Sequence, residues 1–379
     1  MRTVAVAVGC SALAVVGLAL SGWPASTYLH GDFIQYWLAS RALLEGWDPY
    51  DPVVWRAMHE AVVGNDDFFV VPGAGFSYPL TTAVAALPFA LVGVAQSAPL
   101  WFVAQTGSAI AGLTTLQRRM GGPSTGRRLG LLLGLGAVVQ PVFLFAGQGN
   151  IVRFLPGVLA FALVLLGSGR PFAAGLLLGL LVLKPQLFIL FAVAILFLAP
   201  SSRGRLVGGS AVTVAALLAI SLAIRPSWIQ PWVAQSIHVQ GQYGTLNLWG
   251  TLDYSWAAWV IAAAAIVALV AWWRVRHPPL LTAAAAALAL SLYLAPYAAD
   301  YDQAVLLVCL AAYFAAIAGL SVRSQAVLVV LFVGTSSALS WPVWMGIVQP
   351  GWQTALPAPA ACLLLVVADF VARPEQRAR

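Results

Sequence analysis

Charge is scarce in this chain. Only 8% of its 379 residues are Asp, Glu, Lys or Arg, while 61% are hydrophobic. A soluble chain of that length covers its surface with a far larger charged fraction, so the composition excludes a soluble globular protein. Lysine is almost missing: Lys184 is the only one, and the other eighteen basic residues are arginine. Cysteine is scarce as well. Cys10, Cys309 and Cys362 each fall inside an apolar run. With no pair in a loop and no metal-ligand spacing, they read as small hydrophobes. Absent altogether are a phosphate-binding loop, a dinucleotide fingerprint, zinc-ligand spacing and a nucleophile elbow. Any donor or energy source is therefore lipid-borne, an ion gradient, or bound within the membrane.

What the chain has instead is apolar length. Runs of about 18 residues or more, enough to cross a hydrocarbon core roughly 30 Å thick, recur from end to end. The expected fold class is all-α: a polytopic transmembrane helical bundle forming one domain over residues 1–379. Spans are expected near 4–22, 98–117, 129–146, 151–167, 171–183, 186–200, 206–224, 256–273, 280–296, 304–320, 326–343 and 357–372. The first reads as a retained helix rather than a cleaved leader, because spans continue after it and no clear small-x-small site precedes His30.

The net charge of +7 does not point to nucleic acid, because the arginines sit in short clusters between apolar runs. That is the footprint of the positive-inside rule. Placing Arg118, Arg119, Arg127 and Arg128 in the cytoplasm puts both termini there. It leaves two external loops, about 23–97 and 225–255, with most of the acids on the external side. The run Leu80 to Val94 carries Pro88 and Gly93 and follows Pro79. It is expected to lie on or dip into the outer leaflet rather than to span.

Polar residues at membrane depth are costly, and each calls for a reason. Lys184 precedes Pro185 between two apolar runs of about 13–15 residues, each only about 20 Å long. It is expected to face a cavity rather than to snorkel. Gly147-Gln148-Gly149-Asn150, followed by Arg153, lies at the outer end of another expected hairpin. Alone it reads as a polar turn. With Lys184 at a similar level, it makes a site of two cations and two amides that suits a phosphate. Asp32 follows Gly31 at the head of an amphipathic stretch, where a helix N-cap and a general base are equally open readings. Asp48-Pro49-Tyr50-Asp51-Pro52 reads as a turn. Asp300 and Asp302 are two apart and do not stack on one helical face, which makes a metal pair a weak inference. His238 has no assignment.

Several of these pieces, taken in order, resemble the polyprenol-phosphate-sugar-dependent membrane glycosyltransferases of the GT-C class, specifically glycosyltransferase family 87. They are Gly31-Asp32-Phe33-Ile34-Gln35-Tyr36-Trp37 with Gly46 and Asp48-Pro49-Tyr50-Asp51, then Tyr78-Pro79. Gly147-Gln148-Gly149-Asn150, Lys184-Pro185-Gln186 and Pro296-Tyr297 with Asp300-Tyr301-Asp302 follow. The resemblance implies a GT-C fold with an outward-facing active site in the cell membrane, and Asp32 as the catalytic base. It implies a polyprenyl-phosphate-linked sugar as donor, with mannose the sugar of the best-known members, and a lipid or glycan as acceptor. Arg153 and Lys184 are the candidates for the donor phosphate. Tyr36, Tyr78, Gln148, Asn150, Gln186, Tyr297, Asp300 and Asp302 are the candidates for sugar or acceptor. No metal site is assigned, and a divalent ion stays open as a cofactor.

Two departures stand out: Leu80 follows Tyr78-Pro79 where relatives usually have a second proline, and Asp300 and Asp302 stand where some mannosyltransferases have histidine. A transporter or flippase of a lipid-linked sugar would use the same cations. The chain shows only one clear Lys-Pro interruption, however, and no matching half of the kind paired repeats supply.

Overall fold

The computed structural model describes residues 31–64, 73–119, 130, 132, 149–240, 247–344 and 356–377. The span expected at 4–22, and all of that expected at 129–146 except residues 130 and 132, lie outside the described residues. Among those described, every regular element is helical and there is no strand. Two helices, Pro200–Ile224 and Trp256–Arg276, are each long and apolar enough to cross a membrane. Seven further apolar stretches are shorter, between 10 and 17 residues. Among the described residues, the expected spans thus appear as two full-length apolar helices and several shorter or broken ones. Proline and 3-10 turns cut the runs: Pro171–Leu178 continues as the 3-10 segment Gly179–Leu183, and Pro185–Leu187 is another.

Leu80–Ala90 and Val94–Arg119 meet at a bend of 110°. The break falls at Leu91 to Gly93, and the first helix packs on Asp32–Glu45. Ser40 Oγ donates to the carbonyl of Ala83 at 2.7 Å, and Trp37 Nε1 donates to that of Val92 at 3.1 Å. These bonds anchor the shorter helix to the loop that carries Asp32.

The interior is held by close backbone approach. Leu280–Tyr293 is an alanine-rich helix buried on every side, with Ala283 through Leu288 at 0% exposure. Such side chains let neighbouring backbones come near, as membrane helices need when lipid offers no hydrophobic drive. Ile189–Leu198, Leu306–Ala316 and Pro357–Arg377 pack around it. In Val94–Arg119 and Leu155–Gly167 the contact is tighter still. A Cβ on Gly112 would meet Gly157 Cα at 2.6 Å, and one on Gly157 would meet the carbonyl of Ser108 at 2.3 Å. Gly157→Ala is accordingly expected to cost about 1–3 kcal/mol through overpacking, read as a lower thermal midpoint in detergent. Gly107→Ala, with open space around it, serves as the silent control.

By contrast, Pro200–Ile224 and Trp256–Arg276 lie at the edge, with only 11% and 22% of their apolar windows buried. Their outward faces carry Val207, Val212 and Ile220, and Trp259, Val260 and Val267. An apolar surface of that kind suits lipid rather than water.

Candidate active site

The Asp32–Glu45 helix begins at Gly31, an extended residue that makes no side-chain cap bond. Asp32 is therefore not the N-cap. It occupies the first turn, where the positive end of the helix dipole favours a carboxylate, and its side chain turns inward, only 7% exposed. Both carboxylate oxygens are held. The Tyr78 hydroxyl donates to Oδ1 at 2.5 Å and the Asn150 amide donates to Oδ2 at 3.1 Å. The same amide nitrogen lies 3.3 Å from the Tyr78 hydroxyl, so the three polar groups form one closed cluster.

Each partner is fixed in turn. Asn150 caps the 3-10 turn Ile151–Phe154, its Oδ1 accepting from the Val152 amide at 2.9 Å. That bond commits the oxygen and leaves the NH2 to face Asp32. Before it, Gly149 adopts φ +63, a left-handed conformation that suits glycine. Its carbonyl accepts from Trp101 Nε1 at 2.7 Å, while Gln105 Nε2 donates to the Asn150 carbonyl at 2.7 Å. Trp101 and Gln105 were not among the expected site residues. Their i, i+4 spacing puts them on one helical face, a signal too common to stand out in an apolar sequence. Gln148 lies outside the described residues.

Tyr78 is set by the strap Gly75–Tyr78: Tyr50 donates to its carbonyl at 2.9 Å, and its ring meets that of Tyr36 edge-on at 4.9 Å between centroids. Burial and the nearby Asp32 charge push the Tyr78 phenol well above its usual range. It therefore stays protonated and remains a donor at any working pH. Tyr36 also stacks on Trp101, 5.8 Å between ring centroids. Losing the phenol should weaken the cluster without emptying it. Tyr78→Phe is expected to lower the thermal midpoint of purified protein by a few degrees, because the Asp32 oxygen then loses its donor in a buried site.

Lys184 is 2% exposed and ion-paired with Asp302, itself 0% exposed. Its ammonium also lies 4.7 Å from the centroid of the Tyr301 ring. The other Asp302 oxygen accepts from the Ala299 amide at 2.9 Å. Asp302 was expected to contact sugar or acceptor; its carboxylate engages Lys184 and the Ala299 amide. The reason is electrostatic: a lone buried cation is far costlier than a paired one, and the turn Asp300–Val305 brings the nearest acid.

The two clusters adjoin. The turn Ile151–Phe154, with buried Arg153, packs against the turn Asp300–Val305, and the Asp32 charge acts on both Tyr301 and Asp302. Asp32, Arg153 and Lys184 thus stand on neighbouring turns. Gln186 and Tyr297 flank them, each half-buried, and Asp300 opens the 300–305 turn. Among the described residues, no three His, Cys, Asp or Glu side chains form a group that would hold a metal ion.

The expected turn at Asp48–Pro52 is present. Asp48 accepts from the Tyr50 amide at 2.9 Å, and Asp51 caps the helix Pro52–Val63. Asp48 also pairs with Arg225, tying the two expected external loops together.

The family model for glycosyltransferase family 87 matches residues 76–299, more than half of the chain. The match takes in Tyr78, Asn150, Arg153 and Lys184; Asp32 and Asp302 flank it. No curated protein and no solved structure gives a match.

Proposed function

The chain belongs to glycosyltransferase family 87, and from that premise we propose that it transfers a hexose, mannose in the first instance, from a polyprenyl-phosphate donor to a lipid or glycan acceptor. The reaction takes place on the non-cytoplasmic face of the cell membrane, with inversion at the anomeric carbon. One observation carries the reading. A buried carboxylate, Asp32, has both oxygens held by neutral donors, Tyr78 and Asn150, rather than by a cation that would quench its basicity.

The chemistry follows from that arrangement. The acceptor hydroxyl approaches the anomeric carbon from the face opposite the phosphate, and Asp32 takes its proton as the new C–O bond forms. The bond between the anomeric carbon and the phosphate oxygen breaks, and its electron pair leaves with the polyprenyl phosphate. Charge growing on that phosphate is offset by Arg153 and by Lys184. For Lys184 to take part, its ammonium must share itself between Asp302 and the phosphate. Tyr78 and Asn150 orient the base. Tyr36, Gln148, Gln186, Tyr297 and Asp300 remain the proposed contacts to sugar and acceptor. A divalent ion, if used, would add to the offset of phosphate charge.

Relative sidedness draws support from the ion pairs. Asp48 with Arg225, Lys184 with Asp302, and Arg276 with Asp369 each join residues that the positive-inside threading assigns to the same face.

The test is transfer in native membranes from polyprenyl-phosphate-mannose, with endogenous lipids as acceptors. Appearance of a mannosylated lipid that is lost on deletion of the chain is expected. An unchanged lipid and glycan profile in the deletion strain, with no transfer from that donor, would sink the assignment. Orientation is read separately, by impermeant thiol labelling: Ser124→Cys is expected to be protected from outside and Gln242→Cys to be labelled.

A further inference from the structure

Just beyond the lipid-facing helix Pro200–Ile224 lies Ile229–Gln240, a helix without a single Asp, Glu, Lys or Arg. Its two faces differ. On one, Ile229, Val233 and Ile237 recur every fourth residue and are 48%, 42% and 69% exposed. On the other, Trp228 and Trp232 pack on the loop cluster around Asp32–Glu45, and two polar side chains reach the strap that holds Tyr78. Gln235 Oε1 accepts from the Gly75 amide at 3.1 Å, and Ser236 Oγ donates to the carbonyl of Ser77 at 2.7 Å.

The exposed stripe does not stand alone. Ile220, Leu222 and Ile224, at the end of the preceding span, are likewise exposed, and only Arg225 to Trp228 separate them from Ile229. Arg225, at the end of the span, pairs with Asp48. A helix long enough to cross a membrane is thus followed, after only the four residues Arg225 to Trp228, by a helix with an exposed apolar stripe, which places that stripe close to the end of the span. An uncharged helix with an isoleucine and valine stripe is poorly matched to water. It is well matched to the headgroup–acyl boundary, where interfacial helices bury an apolar face about 5–10 Å deep.

We propose that Ile229–Gln240 seats its Ile229, Val233 and Ile237 face in the lipid surface, and thereby fastens the Gly75–Tyr78 strap over Asp32 to the membrane from which a lipid-linked substrate arrives. The seating rests on the membrane character of the chain alone. Its link to substrate rests on the glycosyltransferase reading above.

The experiment keeps these separate. In the full-length chain with its three native cysteines replaced by alanine, Ile237→Cys and Val233→Cys are labelled with an environment-sensitive fluorophore and placed in phosphatidylcholine–phosphatidylglycerol nanodiscs. Lipids with a nitroxide near the top of the acyl chain are expected to quench both labels at least about threefold more than a label at Val53→Cys. Val53 is 78% exposed and shares a face of the helix Pro52–Val63 with exposed Arg56 and Glu60, which favours water. Equal, weak quenching at all three sites would overturn the proposal, whatever the enzyme transfers. So would a disulfide between two copies through Ile237→Cys at high yield, because the face would then cover a second chain.

The second arm reads function. Ile237→Asp is expected to raise KM for a long-chain polyprenyl-phosphate donor about tenfold, with little change for a short-chain, water-soluble analogue. Quenching as expected together with an equal rise in KM for both donors would retain the lipid seat and remove its tie to substrate delivery.

Discussion

Transfer by Asp32→Asn protein falls at least about a hundredfold, within the range that a positioned general base contributes, while the protein accumulates in the membrane as before. The substitution is nearly isosteric, so the oxygen facing Tyr78 remains. The lost oxygen becomes an NH2 opposite the Asn150 NH2, whose own oxygen is committed to the Val152 amide. Two donors then face each other, at a cost of about 1–3 kcal/mol for the unmet group. A modest drop in the thermal midpoint should accompany the loss of activity. Asp32→Ala removes the same base but leaves both donors without their acceptor, and is expected to be equally inactive and no more stable than Asp32→Asn. Initial rates of hexose transfer from polyprenyl-phosphate donor, with thermal unfolding followed in parallel, check both statements. Full activity in either variant would remove Asp32 from the mechanism.

The second large effect lies at the Lys184–Asp302 pair. Removing one member of a buried ion pair strands the other, at a cost of about 3–5 kcal/mol, whereas replacing both with apolar groups is often close to neutral. Lys184→Met should therefore unfold or fail to accumulate. Lys184→Met with Asp302→Leu should recover most of the lost stability, measured as the thermal midpoint of purified protein in detergent. Activity separates the structural role from the catalytic one. The double variant, folded but without the ammonium, is expected to transfer sugar at least about tenfold more slowly at any donor concentration in reach. A double variant with normal transfer would show that Lys184 serves the fold alone and leave Arg153 to meet the phosphate.

Much of this was legible before any coordinates. Asp32, Asn150, Arg153 and Lys184 stood out because polar groups are rare in apolar surroundings, and the structure gathers them on adjoining turns. The helical stretches at 151–167, 171–183 and 256–276 fall close to where apolar length put them. What could not be read was who partners whom. Lys184 carried no sign of its partner. Its partner Asp302 is 118 residues away, and no local spacing announces such a pair. Tyr78 and Asn150 were expected to hold sugar. Their bonds to Asp32 depend on the strap and the capped turn meeting across 46 and 118 residues. Trp101 and Gln105, which hold Gly149 and Asn150 in place, carried no signal beyond helical spacing. Where the apolar runs break could not be read for a related reason. Apolar length marks where the chain leaves water, but proline and 3-10 turns, stabilised by tertiary contacts, decide where a helix breaks.

Composition and apolar length alone thus determined an all-helical chain of membrane character. Those properties follow from local partition between water and hydrocarbon, which each segment obeys by itself. The pairing of Lys184 with Asp302, the release of Asp32 from capping to face Tyr78 and Asn150, and the bend of 110° between Leu80–Ala90 and Val94–Arg119 were decided only when the helices packed. Electrostatic and hydrogen-bond partners are chosen by distance in space, and in this bundle packing, not sequence spacing, sets that distance.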